Sequence, residues 1–390
     1  MHQPKKFRFL FASAMFSGNA IYFENLRQAI SLRNDVTATW LPIELKPREF
    51  FARIPPISLN DTLKNGVVMR SRLRALEESG TTFDAAFINH VTPAHFLSEF
   101  MRRTPTIISL DATPTLLERF STWYEVPAPS SPRGLVERVK HRLTKNVYTN
   151  AASLIVWSSH VKRSLVTDYG INEEKVVVLP PGINLQLWGQ PPSRESCDRT
   201  RSRRANILFV GADFLRKGGD LLLRVSQRDE FKSCQFHFVT TTFEGKQDTN
   251  TFVHSNVNAN TETLRALYRE ADIFVFPSRA DFSPLAVCEA MASGLPVLST
   301  DVGGLGEITE DGRSGFIVPV DDEESLANRL RQLVEDPDLR IHMGRAARKR
   351  AEELFNLEKN ASTIVELLKR VSRVESSQTS VGCTEQSGKE

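Results

Sequence analysis

Short apolar runs alternate with helical stretches along the first half of the chain. The runs FRFLF, TATWLPI, FDAAFI, TIISL and SLIVW have the length and apolar character of buried strands. Between them, apolar residues recur at helical spacing over 21–32 and 63–78, and a third helix is expected from Pro93. Strands separated by helices of this length predict right-handed βαβ units and a parallel sheet.

The same alternation starts again in the second half of the chain. NILFV, FHFVT, IFVF and SGFIV are expected to be strands. Helices are predicted over 323–335 and 339–355, followed by a last amphipathic helix. A chain of 390 residues has room for two domains, each with its own core. We therefore expect two Rossmann-like α/β domains.

Shifts in composition mark the predicted boundaries. The stretch between the two domains is rich in Pro, Ser and Arg and shows no periodicity, which is typical of a surface linker. The boundaries are 1–188 for the first domain, 189–204 for the linker, 205–356 for the second domain, 357–373 for the last helix and 374–390 for a polar tail. The composition of the tail predicts disorder.

The segment 272–297 carries most of the candidate chemistry. Its strand-like run ends at a Pro-Ser pair, and the loop that follows holds Asp281. Pro284 suits a first helical turn, and helical spacing then continues to Gly294. Glu289 lies on that helix, and a helix N-terminus beside a loop carboxylate can bind an anion and a hydroxyl together. A phosphorylated sugar needs both, although the spacing alone also fits simple packing.

A second candidate anion site follows the strand NILFV. Arg216 and Lys217 stand directly before Gly218 and Gly219, where a helix is predicted to begin. Two cations at a helix N-terminus can neutralise a diphosphate, because arginine matches phosphate oxygens as a fork and lysine acts as a point charge. The order GxxxxGK[ST] is missing, so the loop is not a P-loop.

These segments resemble the retaining glycosyltransferases of family 4, which have the GT-B fold. The residues that match the donor-site signature are Pro277, Ser278, Pro284, Leu285, Glu289, Ala290, Met291, Ala292, Gly294, Pro296 and Val297. The chain departs from the signature at its first acid, which is Asp281 where the family usually has Glu, and at Phe282 and Ser283. Lys217 matches the lysine of the family's diphosphate element. Its usual arginine is replaced by Ala212, and Arg216 can stand in for it.

The resemblance implies an architecture and a set of donor contacts. Two parallel sheets would face each other across a cleft, and the C-terminal helix would cross back to the first domain. Arg216 and Lys217 would neutralise the leaving diphosphate without a metal, Glu289 would bind ribose hydroxyls, and Asp281 would bind hydroxyls of the transferred sugar. The remaining donor-binding candidates are Gly18, Asn258, Ser283, Pro284 and Leu285. The nucleotide-diphosphate sugar is a co-substrate, and no cofactor is expected.

Candidates for acceptor chemistry follow strands of the first domain. Ligands of open α/β sheets bind beyond the carboxyl ends of the strands, and His90 and Asp111 follow FDAAFIN and TIISL there. Each could orient an acceptor hydroxyl or take its proton. Gly18 lies in the turn after the first strand and could admit a phosphate. A structural role for Gly18 or His90 has about equal weight.

Composition narrows the class of protein. With 40% hydrophobic and 25% charged residues the chain is typical of a globular protein, and a net charge of +3 indicates no nucleic-acid partner. Its four scattered cysteines fit neither a disulfide framework nor a zinc site. No signal peptide or membrane span is evident, so a cytoplasmic protein is expected. The basic amphipathic stretch 133–145 leaves open peripheral contact with the inner face of a membrane.

The predicted function is glycosyl transfer. The chain would move a sugar from a nucleotide-diphosphate sugar to a hydroxyl of a saccharide, lipid-linked or small-molecule acceptor, with retention of anomeric configuration. Two alternatives remain open. One is a sugar-nucleotide epimerase of the same fold. The other is a non-catalytic protein that binds nucleotide sugars, which the departures at Asp281 and Ala212 motivate.

Overall fold

The computed structural model describes residues 6–44, 61–124, 134–189 and 204–381. The strands are β1 (Phe7–Met15), β2 (Val36–Glu44), β3 (Ala85–Asn89), β4 (Thr106–Leu110), β5 (Ser153–Val156), β6 (Val176–Val178), β7 (Asn206–Val210), β8 (Gln235–Val239), β9 (Thr251–His254), β10 (Ile273–Phe276), β11 (Val297–Thr300) and β12 (Gly315–Val318). The helices are α1 (Ser17–Ser31), α2 (Asp61–Glu78), α3 (Ser98–Arg103), α4 (Pro114–Arg119), α5 (Ser121–Tyr124), α6 (Leu135–Asn150), α7 (Ser159–Tyr169), α8 (Gly219–Ser226), α9 (Glu262–Glu270), α10 (Leu285–Ala292), α11 (Leu305–Ile308), α12 (Glu323–Glu335), α13 (Pro337–Leu354) and α14 (Leu357–Val381).

The strands form two six-stranded sheets. The first has the order β2-β1-β3-β4-β5-β6, and the second has the order β12-β11-β10-β7-β8-β9. Every described strand pair within them is parallel. Their central strands are buried on both faces, as in Ile273–Phe276, because helices cover each side. The prediction of two Rossmann-like domains is confirmed.

Each sheet has a point at which the strand order reverses. β1 lies between β2 and β3 in the first sheet, and β7 lies between β8 and β10 in the second. Connections from the two sides of such a point leave the sheet in opposite directions, which opens a crevice at the carboxyl ends of the strands. The loops after β1, β3, β7 and β10 therefore define the two places where a ligand can bind.

The last helix ties the two domains together. Ile183 forms a parallel β-bridge with Asn356, and its backbone N–H donates to the carbonyl of Phe355 at 2.6 Å. Helix α14 then packs Ile364 and Val365 into the same core cluster as β1 and α1. The predicted crossing back to the first domain is confirmed. The helix continues to Val381, so 374–381, expected to be disordered, are helical.

The structure differs from the predicted elements in two places. The helix expected from Pro93 is a single 3-10 turn, Thr92–Ala94, followed by the short helix α3. The region after β8, where no strand was predicted, contains the edge strand β9, whose half-exposed residues lack the alternation that identifies a strand. The linker falls almost wholly outside the described residues, as do residues 382–390. Among the described helices, none is long and apolar enough to cross a bilayer.

Candidate active site

A cleft of about 550 Å³ lies between the two domains, at the reversal points of both sheets. Ten of the eleven predicted site residues line it: Gly18, His90, Asp111, Arg216, Lys217, Asp281, Ser283, Pro284, Leu285 and Glu289. Asn258 is not among the residues that line the cleft, so its contact with the nucleotide base stays a prediction. Its neighbours Val257 and Ala259 do line the cleft.

Lys217 and Asp281 join the loops after two adjacent strands, β7 and β10. The Lys217 ammonium forms an ion pair with the Asp281 carboxylate, and the two side chains are only 13% and 10% exposed. Burial lowers the pKa of Lys217, and the charge of Asp281 opposes that shift. The pair thus keeps a largely buried lysine cation in the wall of the cleft, where it can meet an incoming anion.

Arg216 has several fixed partners on the same side of the cleft. Its Nε donates to Asp213 at 2.8 Å, and Nη1 donates to the carbonyl of Ala280 at 3.0 Å. The side chain is 17% exposed. Helix α8 begins directly after this loop, with Gly218 in a left-handed conformation at φ 75°. A Cβ on Gly218 would lie 2.0 Å from the carbonyl oxygen of Pro277, so the sharp turn that presents both cations requires glycine.

Glu289 is a buried carboxyl group in the wall of the cleft. It lies on α10 and is 4% exposed, and the hydroxyl of Tyr268 donates to it at 3.2 Å. Burial raises the pKa of Glu289 to about 8, although the Tyr268 hydrogen bond acts in the opposite direction. At neutral pH Glu289 is therefore mainly in its neutral form.

His90 faces the cleft from the first domain. Its backbone is in the left-handed region, with φ 75°, which is costly for a side chain with a Cβ and is typical of functional loops. Burial lowers the pKa of His90 to about 4, so the ring is neutral. The N–H of Thr92 donates to its Nδ1 at 3.3 Å. Nδ1 is then the acceptor nitrogen, and Nε2 carries the proton and can donate a hydrogen bond.

Asp111 lies at the end of β4, beside His90. Burial raises the pKa of Asp111 to about 6, and the negative charge of Asp281 acts in the same direction. The group is ionised at neutral pH but close to its titration point. Asp111 and His90 were both predicted to act on the hydroxyl of the acceptor substrate. Of the two, only Asp111 can take its proton, because Nδ1 of His90 already accepts a hydrogen bond from Thr92.

Two family models match the chain, one in each domain. The model for Glycosyltransferase Family 4 matches residues 41–187, and the model for Glycosyl transferases group 1 matches residues 199–350. Together they match more than half of the chain, including the whole second sheet and the strands β3 to β6 of the first. The chain belongs to glycosyltransferase family 4.

Known proteins agree with this membership. The family 4 chain is 28% identical over 239 residues to the D-inositol 3-phosphate glycosyltransferase of Paenarthrobacter aurescens, covering 57% of this chain and 58% of the relative. It spans about half the length of the curated relatives it matches. Two solved structures share the fold. Sucrose-phosphate synthase from Thermosynechococcus elongatus superposes with a TM-score of 0.74 at 18% sequence identity, covering 95% of this chain and 100% of that one. Anabaena HepE in complex with UDP-glucose superposes with a TM-score of 0.68 at 16% sequence identity, covering 93% of this chain and 100% of that one.

Phe282 is one of the places where this family 4 chain departs from the usual donor signature. Its ring is 3% exposed and belongs to the core cluster of the first domain. It lies edge-on to Phe120 and stacks on Tyr124, with ring centroids 5.5 Å apart in both pairs. The aromatic side chain thus joins the loop after β10 to the opposite domain. The sequence pattern alone did not identify Tyr124, since a lone tyrosine on a four-residue helix carries no motif.

Glycines of the loop after β11 bring that loop against the loop after β10. Gly303 has φ 59°, and a Cβ there would lie 1.9 Å from the carbonyl oxygen of Asp281. A Cβ on Gly304 would lie 2.4 Å from the carbonyl oxygen of Phe282 and 3.1 Å from Ser158 of the first domain. At Gly304 the backbone therefore lies against the first domain. Gly303 also supports the backbone that carries Asp281.

Proposed function

We propose that this protein transfers a sugar from a nucleotide-diphosphate sugar to an acceptor hydroxyl with retention of anomeric configuration. One observation carries the proposal. Cations and carboxyl groups of the second domain line the same cleft as Asp111 and His90 of the first. A donor diphosphate and an acceptor can therefore meet between the domains.

In this proposal the second domain binds the donor. Lys217 and Arg216 neutralise the leaving diphosphate, with help from the N-terminus of α8, so a metal ion is not required. Glu289 binds the ribose hydroxyls, and either its O–H or its carboxylate oxygens can serve. Asp281 loses part of its pairing with Lys217 when the phosphate arrives, and its oxygens become acceptors for hydroxyls of the transferred sugar.

The first domain orients the acceptor. Asp111 accepts a hydrogen bond from the attacking hydroxyl, and His90 donates from Nε2 to an oxygen of either substrate. A pKa near 6 lets Asp111 share the proton without holding it. For retention, the hydroxyl attacks from the face of the leaving diphosphate. The proton then passes to a phosphate oxygen, so that the new glycosidic bond forms as the sugar–phosphate bond breaks.

The nucleotide, sugar and acceptor are to be found by experiment, and similar proteins suggest where to start. A structural neighbour was solved with UDP-glucose, and a curated relative is described as acting on D-inositol 3-phosphate. UDP-glucose and inositol phosphates are therefore the first pair to test. GDP- and ADP-sugars, saccharides and lipid-linked acceptors complete the panel.

The test has two steps. First, thermal unfolding is measured with each nucleotide sugar, since a ligand at a hundred times its dissociation constant adds about 2.7 kcal/mol to stability. Second, the best donor is incubated with each acceptor, and the products are identified by mass spectrometry. A glycosylated acceptor supports the proposal. A rearranged donor without acceptor supports an epimerase, and binding without turnover of any offered pair supports a non-catalytic protein.

A basic helix of the first domain favours a peripheral site at the cytoplasmic face of a membrane. On α6, Val139 and Leu143 are 49% and 37% exposed, and Arg138, Lys140 and Arg142 are exposed beside them. Such a face binds anionic lipids through apolar insertion and charge attraction. Co-sedimentation with phosphatidylglycerol vesicles should exceed that with phosphatidylcholine vesicles, and Val139→Asp should reduce it. Equal sedimentation with both would refute this site.

A further inference from the structure

The short helix α5 of the first domain places two consecutive aromatic rings over two arginines of the second. The Tyr124 ring centroid lies 4.7 Å from the Arg216 guanidinium, and the Trp123 ring centroid lies 5.2 Å from the Arg279 guanidinium. Both distances are within the range of cation–π attraction. The contact between Tyr124 and Arg216 lines the cleft, whereas the residues of the other contact are not among those that line it.

Tyr124 makes three contacts with the donor loops. Its hydroxyl oxygen accepts a hydrogen bond from Nη1 of Arg216 at 3.3 Å, in addition to the contact between ring and guanidinium. Its ring also stacks on Phe282, with an interplanar angle of 23°. One residue of the first domain therefore touches both the loop after β7 and the loop after β10. Those are the loops that carry the cations and Asp281.

The chemistry of these contacts keeps the guanidinium available for an anion. Arg216 is held at one edge by Asp213 and the carbonyl of Ala280, and its face is covered by the Tyr124 ring. A ring fixes the orientation of a guanidinium without cancelling its charge, as a second carboxylate would. Burial raises the pKa of Tyr124, so the phenol stays neutral.

We propose that Tyr124 is a positioning residue for the donor diphosphate: it holds the Arg216 guanidinium turned into the cleft. Because Tyr124 belongs to the acceptor domain, this half of the phosphate site is complete only when the domains are closed. Donor binding and domain closure then favour each other. The proposal rests on the proposed function, since it concerns how that site binds its donor.

A double-mutant cycle tests it. The variants are Tyr124→Ala, Arg216→Met and the double variant. The matched control is a second cycle in which Trp123→Ala takes the place of Tyr124→Ala. Measurements are kcat and KM for the donor, together with binding of UDP, GDP and ADP. If Tyr124 acts through Arg216, Tyr124→Ala lowers kcat/KM about tenfold in the wild type, or about 1.4 kcal/mol, and has little effect in Arg216→Met. Trp123→Ala should cost the same factor in both backgrounds.

Tyr124→Phe separates positioning from general stability. It keeps the ring over Arg216 and loses only the oxygen that accepts from Nη1, so its kcat/KM should lie between those of the wild type and Tyr124→Ala. Thermal midpoints of all variants are measured alongside. Equal loss from Tyr124→Ala in both backgrounds, or no loss in either, would overturn the role of Tyr124. If the folded wild type binds none of the three nucleotides and turns over no donor, the proposed function itself fails.

Discussion

Glu289 and Asp281 are carboxyl groups of one loop–helix unit in different surroundings. Asp281 pairs with the Lys217 cation. Glu289 has only a phenol as its hydrogen-bond donor among the described residues, and burial raises its pKa to about 8. The same signature thus supplies one charged and one largely neutral carboxyl group. The raised pKa of Glu289 makes its contribution to stability measurable as a function of pH.

The raised pKa of Glu289 predicts a pH dependence of folding. The native state holds the proton more tightly than the unfolded state, whose pKa is near the ordinary 4.5. The stability from this group is therefore full below pH 4.5 and declines as pH rises to about 8, by up to about 1.4 kcal/mol per pH unit. Glu289→Gln should flatten the free energy of unfolding across that window, measured by urea titration. An unchanged slope would mean that Glu289 ionises normally in the native state.

The length of the Asp281 side chain predicts the effect of restoring the usual glutamate. Asp281 is 7% exposed, and its short side chain spans the distance between the backbone of its own loop and the Lys217 ammonium. An added methylene must displace one of them, and overpacking a filled site costs about 1–3 kcal/mol. Asp281→Glu should thus lower kcat/KM for the donor about tenfold or more. Turnover equal to or above the wild type would show that the shorter acid is not required.

At the scale of elements, the loop after β11 supports the donor loop through Gly303. Replacing Gly303 with alanine introduces a clash with the Asp281 carbonyl as well as strain at φ 59°. Gly312 is a matched control, because it has φ 72° and a Cβ added there would meet no described atom within 4 Å. Gly303→Ala should lower the thermal midpoint and the transfer rate together, whereas Gly312→Ala should cost only the strain, about 1 kcal/mol. Equal effects of both variants would exclude the contact.

Elements and motifs were predictable where the signal is local. The strand–loop–helix units around Lys217 and Glu289 follow from apolar runs, glycines and a proline within a few residues of each other. Strand β9 was not predictable, since its half-exposed residues give no alternation. Tyr124 was also not predictable. Its partners Arg216 and Phe282 are distant in sequence, and only the closed arrangement of the domains brings them together.

At the scale of the whole molecule, a carboxylate links the two domains. Glu307, on α11 of the second domain, accepts hydrogen bonds from the backbone N–H groups of Ser159 and His160 at 2.6 and 2.8 Å. These groups form the N-terminus of α7 in the first domain, where a negative charge is favoured by the helix dipole. Opening the domains would break both bonds, so Glu307 stabilises the closed form.

Loss of this contact should open the molecule. Glu307→Gln removes the charge, and hydrogen bonds to charged groups contribute about 1.5–3 kcal/mol each. We expect a larger radius of gyration by small-angle X-ray scattering, with partial reversal when the donor binds. Glu310→Gln is the control, because Glu310 pairs with Arg350 inside the second domain. The link would be refuted if both variants kept the wild-type radius, or if both increased it equally.

The central claim is that the cations and carboxyl groups of one interdomain cleft act on a sugar-bearing diphosphate. The most direct measurement is acceptor-dependent release of nucleoside diphosphate by the wild type, Lys217→Ala and Lys232→Ala. Lys232 is an exposed lysine of the same domain that pairs with Asp229 outside the cleft. We expect Lys217→Ala to lower kcat/KM by about tenfold or more, whereas Lys232→Ala should match the wild type. Release by Lys217→Ala at the wild-type rate would contradict it.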